Sequence, residues 1–154
     1  QLCYLLRKLV NSDPDRLIKL KELFDKHEKI VIFYNFNYEL EILRKFAKEN
    51  KIPYSEWNGH KHEQILETTE WLYLVQYTSG AEGWNCTQTN TIVFYSQNYS
   101  YRIMVQSAGR IDRLDTEYVD LYYYKFISNS VIDLAIDKAL KNKQTFNEHR
   151  FMRI

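Results

Sequence analysis

Three short runs of β-forming residues, 30–34 (IVIFY), 71–77 (WLYLVQY) and 91–96 (TIVFYS), stand among segments whose apolar residues recur at helical spacing. Runs this continuously apolar suit strands covered on both faces, which is the condition of a parallel sheet. Between and around them, residues 14–27 place Leu17, Leu20 and Phe24, with Ile18 and Leu23, at helical spacing. Residues 38–50 do the same with Leu40, Leu43, Phe46 and Ala47. Residues 2–10 suit a short helix, and Asp13 followed by Pro14 supplies an N-cap and a first-turn proline for the next. The spacing predicts a further helix over 99–114, an alternating strand over 119–127 and a last helix capped by Ser130, with Asp133 three residues on. Strands that alternate with helices in this way build a parallel α/β sheet, whose ligands bind beyond the carboxyl ends of the strands.

With 154 residues, 45% of them apolar and 16% aromatic, the chain can fill the core of one domain spanning 1–154. No run approaches the length of a membrane span, and no charged-then-apolar leader stands at the start. Cys3 and Cys86 are far apart and lack metal-ligand spacing, so free thiols in a reducing cytoplasm are expected. A net charge of +1 neither requires nor forbids a nucleic-acid partner. The opening on Gln1, in mid-pattern, suggests a fragment of a longer protein, with 144–154 as a basic tail that docks on something outside it.

Residues 106–113 (QSAGRIDR) carry the clearest chemistry. On a continuous helix, steps of four and three put Gln106, Arg110 and Arg113 on one face. Guanidiniums are planar, permanently charged and forked, so a pair of them suits phosphate oxygens better than lysines would. A solvated charged face is the alternative. Upstream, residues 78–85 (TSGAEGWN) follow an apolar run and contain Gly80 and Gly83, which let a backbone approach a ligand closely; an ordinary turn would use them equally well. His60 and His62 lack a third ligand at metal spacing, so no metal site is expected. Tyr122, Tyr123 and Tyr124 suit a strand with one aromatic face inward better than a base-stacking platform. No phosphate-binding Gly-x-x-x-x-Gly-Lys-Ser/Thr loop occurs, no Asp-Glu pair ends an apolar strand, and neither Ser nor Cys has a His and an acid at readable spacing.

The order of strand, Ser-Gly-x-x-Gly loop, strand and Gln-x-x-Gly-Arg-x-x-Arg resembles the C-terminal motor domain of superfamily-two helicases and translocases, whose motif V is the loop and motif VI the arginine segment. Residues 81–85 (AEGWN) are similar to the Arg-Glu-Gly-Leu-Asp form of motif V, with Asn85 where many members carry Asp. Residues 30–37 (IVIFYNFN) resemble motif IV and its exit, residues 54–60 (YSEWNGH) the short strand ending in Gly, and residues 122–143 the strand and closing helix of the remodeller-like branch. Only 18 residues separate Gly59 from Thr78, which leaves room for one short helix or a bare loop. After motif VI stands Leu114-Asp115-Thr116 where remodellers have Ile-Gly-Gln, so the chain looks like a compact phage or bacterial member, cytoplasmic in its host.

The resemblance implies a three-layer RecA-like domain, with ATP and magnesium held in a cleft completed by an N-terminal RecA-like domain of the same protein. It implies Arg113 as the finger on the γ-phosphate, Arg110 as its partner, and Gln106 as the holder of the arginines or of a phosphate-bound water. Glu82, Gly83 and Asn85 would lie at the nucleotide. Asn35, Asn37, Gly59, His60, Thr78 and Ser79 would touch the backbone of one nucleic-acid strand, expected to be DNA. Two other readings stay open: a helicase-derived module that binds nucleic acid or protein without hydrolysis, and an unrelated doubly wound domain, which would leave motif VI unexplained.

Overall fold

The computed structural model describes residues 1–80 and 84–153. Helices α1 (Leu2–Asn11) and α2 (Pro14–His27) precede strand β1 (Lys29–Tyr34), and α3 (Asn37–Glu49) leads to β2 (Tyr54–Trp57). Then follow β3 (Trp71–Gln76), the single turn α4 (Tyr77–Gly80), β4 (Thr91–Phe94), α5 (Tyr101–Ala108), β5 (Tyr122–Lys125), α6 (Val131–Lys141) and α7 (Glu148–Met152). All pairings in the five-stranded sheet, ordered β2-β3-β1-β4-β5, are parallel.

Strand alternation sorts the core into two layers, one on each face of the sheet. Val31, Phe33, Tyr73, Val75, Ile92 and Phe94 face α5 and α6, meeting Met104, Ile132 and Ile136. Ile30, Ile32, Leu72, Leu74 and Val93 face α2 and α3, meeting Leu20, Phe24, Leu40, Leu43 and Phe46. The three-layer α/β expectation therefore holds, and β1 is buried along nearly its whole length. Asp13 caps α2 as expected, its carboxylate accepting from the Asp15 amide at 2.9 Å.

Three local expectations need correction. The last strand covers only Tyr122–Lys125, because it lies at the sheet edge with β4 as its one neighbour; Val119 is fully in solvent, Tyr122 and Tyr123 are exposed, and only Tyr124 turns toward the core. Between β2 and β3, by contrast, the bare loop, one of the two forms expected, is found, and it doubles back along β2 with Trp57 and His62 in an antiparallel bridge. Thr78 and Ser79 lie in the turn α4 rather than in an open loop. The tail packs on its own domain: Phe146 is buried, its amide donates to the Tyr99 carbonyl at 2.9 Å, and the Tyr99 hydroxyl donates to Glu148 at 2.6 Å.

Two buried arginines hold the carboxyl ends of the strands. Arg16 of α2 donates to the carbonyls of Tyr95 (2.5 Å) and Phe126 (2.9 Å) and to Asp133 of α6 (2.7 Å). Arg7 of α1, sandwiched between the rings of Phe36 and Tyr99, donates to the Gln97 carbonyl at 2.5 Å.

Gly80 closes α4 against the sheet, where a Cβ would stand 2.3 Å from Val75 Cγ1 and 3.1 Å from Phe33 Cε1. Overfilling a close-packed core costs about 1–3 kcal/mol. Gly80→Ala is expected to lower the free energy of unfolding in urea by that amount, and to cost less in a Val75→Ala background, where the clashing methyl is gone. An equal loss in both backgrounds would assign the effect to something other than this contact.

Candidate functional site

Helix α5 starts at Ser100, whose hydroxyl accepts from the Ile103 amide, and runs back along the face of the sheet. It ends sooner than its spacing suggests. The Arg110 carbonyl, which in a continuing helix would accept from residue 114, accepts instead from the Cys86 amide at 3.0 Å. Gly109, a poor helix residue, stands at the break, and Ile111, fully buried, anchors the turn that follows. Arg110 and Arg113 therefore lie beyond the helix rather than on its face. The Cys86–Arg110 bond joins the loop after β3 directly to the arginine turn.

Beside that bond, Asn85 meets Arg110, 25 positions on in the chain. The Arg110 guanidinium donates to Asn85 Oδ1 at 3.3 Å, and its Nε curls back to the main-chain carbonyl of Gln106 at 3.0 Å. A cation over the last turn of a helix is favoured by the helix dipole. Gln106 thus holds Arg110 through its backbone, whereas its side-chain amide was the expected holder. Arg113 is exposed, and its guanidinium makes no hydrogen bond or ion pair within the described residues. Burial, and then the neighbouring charge of Arg113, push the Arg110 pKa down from its ordinary value. Two like charges at a partly desolvated site favour a bound anion. Glu82 and Gly83 lie outside the described residues; Trp84, buried on Tyr73 (4.9 Å between centroids) and Phe33 (6.4 Å), anchors the loop just before the exposed Asn85.

The other expected contacts lie at the opposite end of the sheet. The Tyr123 hydroxyl donates to the Ala108 carbonyl, and Tyr123 pairs with Ile92 near the start of β4, so the arginine turn lies toward the amino ends of the strands. Asn37, Gly59, His60 and Thr78 follow the carboxyl ends of β1, β2 and β3 and are exposed, with Ser79 half-buried beside them. Asn35 differs. Its Nδ2 donates to Ser96 Oγ (2.9 Å) and the Gln97 carbonyl (3.1 Å), and its Oδ1 accepts from Asn98 (2.9 Å). Its amide ties the exits of β1 and β4 together, which corrects its expected place on the surface.

Around Asn35 lies a buried polar seam that spacing did not reveal. Glu39, wholly buried, accepts from the amides of Asn35 (2.8 Å) and Phe36 (3.0 Å) through one oxygen. Burial pushes its carboxyl pKa up, against the hydrogen bonds and the Arg7 charge that favour the ionised form. The only sequence signal for the seam was the polar run 96–98 straight after a strand. Both cysteines are buried, and burial raises the Cys86 thiol to about 11, which removes thiolate chemistry. No group of three or more potential metal ligands occurs among the described residues.

The helicase conserved C-terminal domain family matches residues 15–115. Helicase SWR1 of Saccharomyces cerevisiae is 24% identical over 151 residues, covering 90% of this chain and 10% of that protein. The chromatin-remodeling ATPase INO80 of Neurospora crassa is 22% identical over 153 residues, covering 90% of this chain and 8% of that protein. The chain thus spans about a tenth of the length of these relatives. The crystal structure of the C-terminal part of the Fun30 ATPase domain superposes with a TM-score of 0.73 at 21% identity, over 87% of this chain and 47% of that one. With well over half its length matched and a RecA-like arrangement of sheet, loop and arginine turn, the chain belongs to the helicase conserved C-terminal domain family of superfamily two.

Proposed function

We propose that this domain is the second half of an ATP-dependent DNA translocase or helicase motor, supplying arginines to an ATP site shared with an N-terminal RecA-like domain of the same protein. The observation that carries the reading is the Cys86–Arg110 bond, with Asn85 on the Arg110 guanidinium, because it assembles motif V and motif VI into one cationic corner. In this reading the exposed Arg113 reaches the γ-phosphate and Arg110, held by Asn85 and the Gln106 carbonyl, supports it. Guanidiniums stabilise charge that develops on the transferred phosphoryl group, and a finger of this kind contributes roughly three to five orders of magnitude in rate. The phosphate loop and the carboxylate for magnesium would come from the partner domain, and the metal held there would supply charge neutralisation at the phosphates. Glu82 and Gly83 would complete the nucleotide side of the loop.

Asn37, Gly59, His60, Thr78 and Ser79 would follow the backbone of one DNA strand, a contact that fixes position without reading sequence. Asn35 would support them from beneath. Thr78 stands on this surface and Asn85 at the arginine corner, so one connection in the chain would sense both ligands.

The isolated chain is expected to show no magnesium-dependent ATP hydrolysis above background, since it lacks a phosphate loop. Turnover by the purified chain would overturn the shared-site reading. In the intact protein, Arg113→Ala should lower kcat at least about a hundredfold while changing nucleotide affinity far less, as for an interaction that strengthens in the transition state. Arg113→Lys should recover little, because an ammonium does not reproduce the fork. Normal steady-state hydrolysis by both variants would overturn the finger assignment.

A further inference from the structure

The His60-Lys61-His62 segment lacks a metal set, yet its geometry is built rather than loose. Trp57 and His62 stack with centroids 4.3 Å apart and planes 17° from parallel, and their backbones form an antiparallel bridge. Asn58, buried, holds the turn between them: its Oδ1 accepts from the His60 amide (2.8 Å) and the Lys61 amide (3.0 Å), and its own amide donates to the Lys61 carbonyl (2.8 Å). The indole is half-buried while His60, Lys61 and His62 are exposed, so the imidazole covers the indole and leaves its own outer side toward solvent. Glu63, next in sequence, turns its carboxylate inward to the Glu56 amide at 2.8 Å, and the buried Glu56, which feels the Lys61 charge, is paired with Arg44 at 2.7 Å. Lys61 therefore stands exposed beside the ring stack, outside any ion pair among the described residues.

We infer that the Trp57–His62 stack is a platform for one unpaired base of a bound single strand, with the phosphate next to it beside Lys61 and His60. The inference rests on the nucleic-acid reading of the same surface and deepens it. A flat ring held by a bridge and a turn loses little freedom on binding, and an adjoining cation matches a ligand that carries an anion one sugar away from an aromatic face. An aromatic side chain of a protein partner could also stack there, but it would bring no phosphate to the lysine. Stacking of this kind is indifferent to base identity, so it adds affinity without adding sequence preference.

The test compares an end-labelled oligothymidine with the same strand made abasic, by fluorescence anisotropy with the isolated chain at low salt. The wild-type chain is expected to bind the base-bearing strand at least about fivefold tighter, the lower bound for one stacked base. His62→Ala should reduce that strand to the abasic level, and His62→Phe should keep the preference, because it keeps the ring. Lys61→Ala should weaken both strands alike and make the salt dependence shallower. Equal binding of the two strands by the wild-type chain, or a preference that survives His62→Ala, overturns the platform while leaving the backbone track intact. Absence of binding to either strand overturns the track and the platform together.

Discussion

A parallel sheet ends in a row of carbonyl groups, and where helices cover that edge the groups need donors. Here Arg7 and Arg16, both buried, supply them. Arg16 takes the carbonyls of Tyr95 and Phe126 and joins α2 to α6 through Asp133; Arg7 takes that of Gln97 from between two aromatic rings. A guanidinium has five donors and a flat apolar face, so it satisfies carbonyls and packs against rings at the same time. Breaking the buried Arg16–Asp133 pair would leave an uncompensated charge at a cost of about 3–5 kcal/mol, which makes that contact a condition of the fold rather than decoration.

That closure also distributes the working surface. In open α/β sheets the crevice between strands whose connections diverge is the usual ligand site, and here it lies where β1 adjoins β4. Arg7, Asn35, Ser96, Gln97 and Asn98 fill it with internal hydrogen bonds. Apart from Asn37 after β1, the exposed groups expected to meet a ligand at the carboxyl edge accordingly lie at β2 and β3, where Gly59, His60, Lys61 and Thr78 stand. The cationic corner made by Asn85, Arg110 and Arg113 sits toward the other end of the strands. Thr78 in α4 stands at the carboxyl edge, whereas Asn85 and Cys86, on the same connection, stand at the arginine corner.

Much of the architecture was legible because its signals are local. Continuous apolar runs mark strands covered on both sides, and 3.6-residue periodicity marks α2 and α3; both follow from which atoms one element must hide. The edge strand misled because alternation over 119–127 was counted as burial, whereas β5 has one neighbour and only Tyr124 turns inward. Helix α5 misled because propensity cannot register a competing donor from a distant loop. The amide that takes the Arg110 carbonyl belongs to Cys86, and no window around residue 110 contains it.

The sequence by itself determined the kinds of elements, their order, and the pairing of a glycine loop with an arginine segment, since each depends on neighbours within a few residues. Tertiary structure decided which of those groups remain available. Asn35 stood in a recognisable motif, yet Ser96, Gln97 and Asn98 consume its amide. His62 stood in a segment without a readable purpose, yet a backbone bridge and the turn held by Asn58 lay it flat on Trp57. Local spacing says where a side chain sits along its element. Its hydrogen-bonding capacity and exposed face depend on groups that only folding brings within reach.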